Sequence, residues 1–199
     1  LNKFIFNVRS FVLLPNLTHL ISSEKIQHSF TGLGNNQVMY TLRYYENITN
    51  SFRGGLFKCV RQVSLFDRPF EHEFFIQIAQ SFPLIEKVCV IDLTEQQQKA
   101  NDNNEHLSII EYLHLNELNL SDVHDDYVEQ FLINTKTHLL NSVRLYVIYQ
   151  SFKWMIHNFT RDAIRVNCAK VCVLRVCGNF EISERLSKYF SHAKILRFL

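Results

Sequence analysis

Glycine and proline are scarce, five and three in 199 residues. No Gly-x-Gly-x-x-Gly, phosphate loop, Gly-x-Ser-x-Gly or His-Glu-x-x-His pattern occurs, so nucleotide-cradling and the common hydrolytic chemistries have no sequence support. An excess of one charge is also missing. Lys+Arg of 21 against Asp+Glu of 19 gives +2 with no long run of either sign, and neither nucleic acid nor a membrane is expected as a partner. Long apolar runs are lacking too: LNKFIFNVRSFVLL is interrupted by Lys3, Asn7 and Arg9 and has no small-residue cleavage site, so it reads poorly as a span or a secretory leader. Cysteines are few and odd in number: Cys59, Cys89, Cys168, Cys172 and Cys177. That count suits buried thiols in the cytoplasm or nucleus better than a disulfide framework. Residue 1 is Leu rather than Met, and the chain is expected to be the remainder of a longer protein.

What is present is apolar material in a repeating order. Hydrophobic residues make up 47% of the chain, enough for an ordered core. One short pattern, apolar-x-apolar, recurs in CVRQVSLFD (59–67), LIEKVCVID (84–92), HLNELNLSD (114–122), LNSVRLYV (140–147), CAKVCVLRV (168–176) and HAKILRFL (192–199). With Val63, Val88, Leu118, Val143, Val171 and Ile195 as equivalents, the separations are 25, 30, 25, 28 and 24 residues. These lie near the period of about 20–29 residues typical of leucine-rich repeats.

Between the stretches the period changes from two to 3.6. EHEFFIQIAQSF gathers Phe74, Phe75, Ile78, Ala79 and Phe82 on one helical face, with Asp67 and Pro69 as start signals. HDDYVEQFLINT gathers Tyr127, Val128, Phe131 and Leu132 behind an acidic first turn. SFKWMIHNF offers Phe152, Met155, Ile156 and Phe159, and ERLSKYF offers Leu186, Tyr189 and Phe190. Strand-helix units of this length stack with their strands parallel. The expected fold is therefore α/β: a leucine-rich-repeat-like solenoid with a curved parallel sheet and helices on its convex side, as a single domain over 1–199. Residues 1–58, with LPNLTHLIS (14–22) and NNQVMYTLRY (35–44) as strand entries, are read as degenerate N-terminal repeats. Residues 59–199 hold the clearer ones, and polar EQQQKANDNNEH (95–106) is read as an exposed loop insertion.

SFRGGLFKCVRQVSLFDRPFEHEFFIQIAQSFPLIEKV (51–88) and HNFTRDAIRVNCAKV (157–171) resemble segments of F-box and leucine-rich-repeat-like proteins. The resemblance implies a repeat region that captures the substrate of a cullin ubiquitin ligase, with an F-box upstream of Leu1 to dock a Skp-type adaptor. No F-box lies within the chain.

Strand side chains alternate, so the residues between the apolar centres should share one face. Gln62, Ser64 and Phe66, Lys87 and Ile91, Glu117, Asn119 and Ser121, Ser142, Arg144 and Tyr146, and Lys170 and Leu174 are the expected contact residues on the concave side. A solvated sheet surface would place them similarly, but Phe66, Ile91, Tyr146 and Leu174 are large for a face open to water. The carboxylate–histidine neighbours Glu71-His72-Glu73 and His124-Asp125-Asp126 fall at helix starts, where acids favour the dipole, and they are read as caps rather than catalysts. Cys168, Cys172 and Cys177 are read as core thiols along a strand and not as metal ligands. Tyr44, Tyr45, Phe52 and Phe57 are read as core rather than as a stacking platform for single strands. No catalytic residue, metal or cofactor is expected. The expected function is binding of a protein partner, and the alternative is a structural or extracellular repeat scaffold. That alternative draws on the Asn-x-Ser/Thr patterns at Asn16, Asn47, Asn119 and Asn158.

Overall fold

A computed structural model of the chain describes residues 5–12, 38–41, 56, 60–66, 69–96, 108–151, 162–179, 181 and 184–198. The side chains of 5–12 and 38–41, of Phe66, of Asp162 and of Arg185 are not part of that description. Each of the six recurring stretches forms a strand: β3 (Gln62–Phe66), β4 (Lys87–Asp92), β6 (Glu117–Val123), β8 (Val143–Ile148), β9 (Val171–Cys177) and β10 (Lys194–Phe198). They pair in that order, every neighbour parallel. Val, Ile and Leu at alternate positions suit a pleated surface buried on one side, and Val63, Leu65, Val88, Val90, Leu118, Leu120, Leu145, Val147, Leu174 and Val176 form that side.

The register refines the repeat. Val63 pairs with Val88 and Val88 with Leu118, as the spacing predicts, but Leu118 pairs with Leu145, not Val143. Leu145 then pairs with Leu174, and Leu174 with Ile195. The separations between partners are thus 25, 30, 27, 29 and 21 residues.

Strands β1 (Ile5–Val12) and β2 (Val38–Thr41) extend the same sheet beyond β3, giving eight strands in the order β10-β9-β8-β6-β4-β3-β1-β2. Both of their pairings are antiparallel. Of residues 1–58, read as degenerate repeats, these two strands do not continue the strand-crossover-strand pattern, because β1 lies against β3 in the opposite sense. The stretch 14–22 lies outside the described residues, as do Tyr44, Tyr45, Phe52 and Phe57.

The crossovers supply the second layer. Helix α1 (His72–Ser81) buries Phe74, Phe75 and Ile78, and α2 (Asp125–Leu132) buries Tyr127, Val128, Phe131 and Leu132, the faces their 3.6-residue spacing predicts. Helix α3 (Arg165–Cys168) is a single turn, and α4 (Glu184–Tyr189) tucks Leu186 inward, followed by buried Phe190. The expected helix over 151–159 falls, apart from Ser151, outside the described residues, as does the insertion at 95–106 except Glu95 and Gln96. Gln96 is buried rather than exposed, its amide donating to the Phe70 carbonyl at 2.6 Å. Not anticipated is a short parallel ribbon, β5 (Ile110–Tyr112) with β7 (Thr137–Leu139), on which the helices pack. Phe75 meets Phe131 edge-on at 5.1 Å and Tyr127 at 6.2 Å, and Tyr112 stacks on Phe131 at 6.2 Å.

Asn167 closes this layer. Its side chain is fully buried, with Nδ2 donating to the carbonyls of Thr137 (2.6 Å), Phe131 (3.2 Å) and Leu132 (3.3 Å), while Oδ1 accepts from the Leu139 amide at 3.1 Å. One amide therefore satisfies the end of α2 and two backbone groups of β7, the Thr137 carbonyl and the Leu139 amide. Replacement Asn167→Ala would strand several buried backbone groups. It should lower the unfolding free energy by about 3 kcal/mol, read from the urea midpoint at constant m-value. A loss below about 1 kcal/mol would show that water takes over these bonds.

Candidate functional site

Alternation puts the other half of each strand on the face away from α1 and α2, where side chains are half-buried or exposed. Parallel register aligns them in rows. The first row is Gln62, Lys87, Glu117, Arg144, Val173 and Lys194. The second is Ser64, Cys89, Asn119, Tyr146, Arg175 and Leu196. At the carboxyl ends of the strands, Phe66 pairs with Ile91 and Ile91 with Asp122, while Ile148, Cys177 and Phe198 continue farther along.

The first row is ionic at its centre: Glu117 lies between Lys87 Nζ at 3.5 Å and Arg144 Nη2 at 3.0 Å. In the second row the Arg175 guanidinium lies 5.4 Å from the centroid of the Tyr146 ring, and Phe198 meets the same ring edge-on at 5.9 Å. Asn119 Oδ1 accepts from both the amide (3.0 Å) and the hydroxyl (2.7 Å) of Ser121. That local turn coincides with the irregular register between Cys89 and Ile91 and pushes Asp122 outward.

Of the residues nominated for this face, Gln62, Lys87, Ile91, Glu117, Asn119, Ser121, Arg144 and Tyr146 share it, and Ser142 and Lys170 are exposed just ahead of β8 and β9. Ser64 holds its place in the row but is buried, at 5% exposure. The Phe66 side chain lies outside the described residues. Leu174 is a correction: it is 0% exposed and belongs to the core. The cause is a bulge. Val143 pairs with Val171 but Arg144 with Val173, so Cys172 is an extra residue in β9 and every later position changes face. Arg175 and Val173 stand where Leu174 was expected. The stretch Val171-Cys172-Val173-Leu174 is apolar throughout and fits either parity. The one charge in the strand, Arg175, was the available signal, because it must point outward. Leu196 and Phe198 were missed because no parity was assigned to β10.

The carboxylate–histidine pairs have separate structural duties. His124 caps α2, its Nδ1 lying 3.1 Å from Asp126 Oδ2 and 3.4 Å from the Asp126 amide, and Nε2 lies 3.8 Å from Glu95. Nδ1 cannot donate to the carboxylate and accept from the amide together, so the cap and the carboxylate contact are alternatives. His72 is a buried bridge rather than a solvated cap: Nε2 donates to the Ser108 carbonyl at 3.0 Å, which leaves Nδ1 to accept from Gln130 Nε2 at 2.9 Å. Asp92, at the end of β4, accepts from the Tyr127 hydroxyl at 2.6 Å, and that hydroxyl accepts from the Phe70 amide at 2.8 Å. Burial first, then this bond to Asp92, pushes the Tyr127 phenol far above its ordinary range, and burial alone does the same to Tyr112.

Cys168 ends α3 rather than lying in a strand; burial raises its thiol, and Cys168, Cys172 and Cys177 are free thiols. Cys59 lies outside the described residues. Among the described residues no three His, Cys, Asp or Glu side chains are grouped to hold a metal, and no helix is long and apolar enough to cross a membrane. No family model matches the chain, and no curated protein or solved structure matches it.

Two outcomes follow from this geometry. A double-mutant cycle on Glu117→Gln and Arg144→Gln should give a coupling of about 0.5–1 kcal/mol at low salt that vanishes in 1 M salt, since both groups are partly hydrated. A salt-independent coupling would show that the face is covered. Folding disfavours ionised Tyr112 and Tyr127, whose unfolded value is near 10. Stability should therefore be intact below that pH and fall as pH rises beyond it. Ultraviolet titration should show that the Tyr112 and Tyr127 phenols, absent from Tyr112→Phe and Tyr127→Phe variants, ionise only on unfolding.

Proposed function

We propose that this chain is a protein-interaction module that acts by binding rather than catalysis, and that the open sheet face is its recognition surface. The observation that carries the reading is the cluster of Tyr146, Arg175 and Phe198, half-buried or exposed on a face that α1 and α2 do not cover. Tyrosine and arginine are enriched among the residues that carry binding energy at protein interfaces, and phenylalanine is enriched in interfaces generally.

In the finer form of this proposal the chain is a leucine-rich-repeat-like solenoid, its open face the concave one. In support, six parallel strands follow one another in sequence order, and buried Val60, Ile85, Leu115 and Cys168 stand three residues ahead of buried Val63, Val88, Leu118 and Val171. The resemblance of 51–88 and 157–171 to F-box and leucine-rich-repeat-like proteins extends the proposal to the substrate-recognition region of a ubiquitin ligase receptor in the cytoplasm or nucleus. A Skp-type adaptor would then engage an F-box upstream. The free thiols of Cys168, Cys172 and Cys177 fit a reducing compartment. The extracellular-scaffold alternative is weakened at Asn119, whose amide is turned onto Ser121 inside β6 and is poorly placed as a glycan acceptor; Asn16, Asn47 and Asn158 lie outside the described residues.

The test is affinity purification of the full-length gene product beside a Tyr146→Ala, Arg144→Glu double variant with an unchanged circular-dichroism spectrum and thermal midpoint. Partners should drop by at least about tenfold with the variant. Equal recovery would place recognition elsewhere, and a wild-type preparation without a Skp-type adaptor would remove the ligase role while leaving the interaction module.

A further inference from the structure

The two halves of the open face differ in charge. On the β4–β6 side Lys87 is balanced by Glu117, and Asp122 adds a second carboxylate. Across β8, β9 and β10 the outward positions are Ser142, Arg144, Tyr146 and Ile148, then Lys170, Val173, Arg175 and Cys177, then Lys194, Leu196 and Phe198, with no carboxylate among them. Four cations therefore frame a small apolar seat of Tyr146, Val173, Leu196 and Phe198. Glu117, which Lys87 shares, lies 3.0 Å from Arg144, and among the described residues no acid pairs with Arg175, which rests on the Tyr146 ring.

We infer that this half-face receives an acidic segment of a partner protein that carries an aromatic or aliphatic anchor; the inference rests on the proposed function and names the chemistry of its partner. Charge complementarity selects the occupant. Arg175, Lys170 and Lys194 lie around the apolar seat, so an apolar anchor seated beside Tyr146 and Phe198 brings flanking carboxylates to cations already in place. A nucleic-acid strand fits less well. It needs a continuous track of available cations and an open ring for stacking, whereas Arg144 is engaged by Glu117 and the Tyr146 ring by Arg175 and Phe198.

The test uses the full chain and a fluorescein-labelled dodecapeptide of Glu and Asp with central Phe and Leu, followed by fluorescence polarisation. The acidic probe should bind, weaken steeply with salt, and outcompete a probe in which Lys replaces every acid. Arg175→Glu combined with Lys194→Glu should weaken binding at least tenfold, Tyr146→Ala similarly, and Arg175→Lys much less, each variant keeping the parental thermal midpoint. Absence of acidic-probe binding, equal binding of the Lys probe, or indifference to these substitutions would each overturn the inference. Tighter binding of a labelled oligothymidylate would overturn it in favour of nucleic acid. If the acidic probe fails while partner recovery in the affinity purification still depends on Tyr146, the charge assignment falls and the interaction module stands.

Discussion

A parallel strand cannot be reached by a hairpin. The chain must travel back along the whole sheet before the next strand begins, and whatever carries it back has to bury its own apolar surface. Six strands paired this way commit the protein to a second layer on one face, and the aromatic contacts among Phe75, Tyr112, Tyr127 and Phe131 are that layer's interior. The same commitment leaves the opposite side of β4 to β10 uncovered by α1 and α2. The proposed recognition surface and the core are thus two results of one topological requirement.

The return layer is thin in places, and polar side chains compensate. Where helix is replaced by the β5–β7 ribbon and one-turn α3, backbone groups that a longer helix would satisfy internally need partners from elsewhere. Asn167, His72 with Gln130, and Tyr127 with Asp92 each join segments distant in sequence through bonds made inside the core. Such networks favour one arrangement strongly because a partly formed one leaves buried groups unpaired.

How far these features could be read in advance depended on whether they were periodic. The six strands and the inward faces of α1 and α2 repeat at two or 3.6 residues, and the alternation of Val63 with Ser64 or the spacing of Phe74, Phe75 and Ile78 is visible in the order of the residues alone. Features made by single residues were not visible. The direction of β1 and β2 depends on a pairing partner rather than on their own residues. The ribbon β5–β7 is too short to show a period. The duties of His72 and Asn167 exist only once distant segments meet. On the candidate face Lys87, Glu117, Arg144 and Tyr146 were found by parity, whereas Leu174 was misplaced and Arg175 overlooked because apolar residues run unbroken across the bulge.

That bulge resembles a change of reading frame. One extra residue at Cys172 decides which of the residues from Val173 to Cys177 are wet and which are dry, without altering their identity. Strands on either side of it cannot be compared by counting along the chain: a charge that would be intolerable at a given count in β8 is required at that count in β9. Length variation at position 172 would therefore exchange the interior and exterior of a whole strand at once, and with them the cationic half of the face.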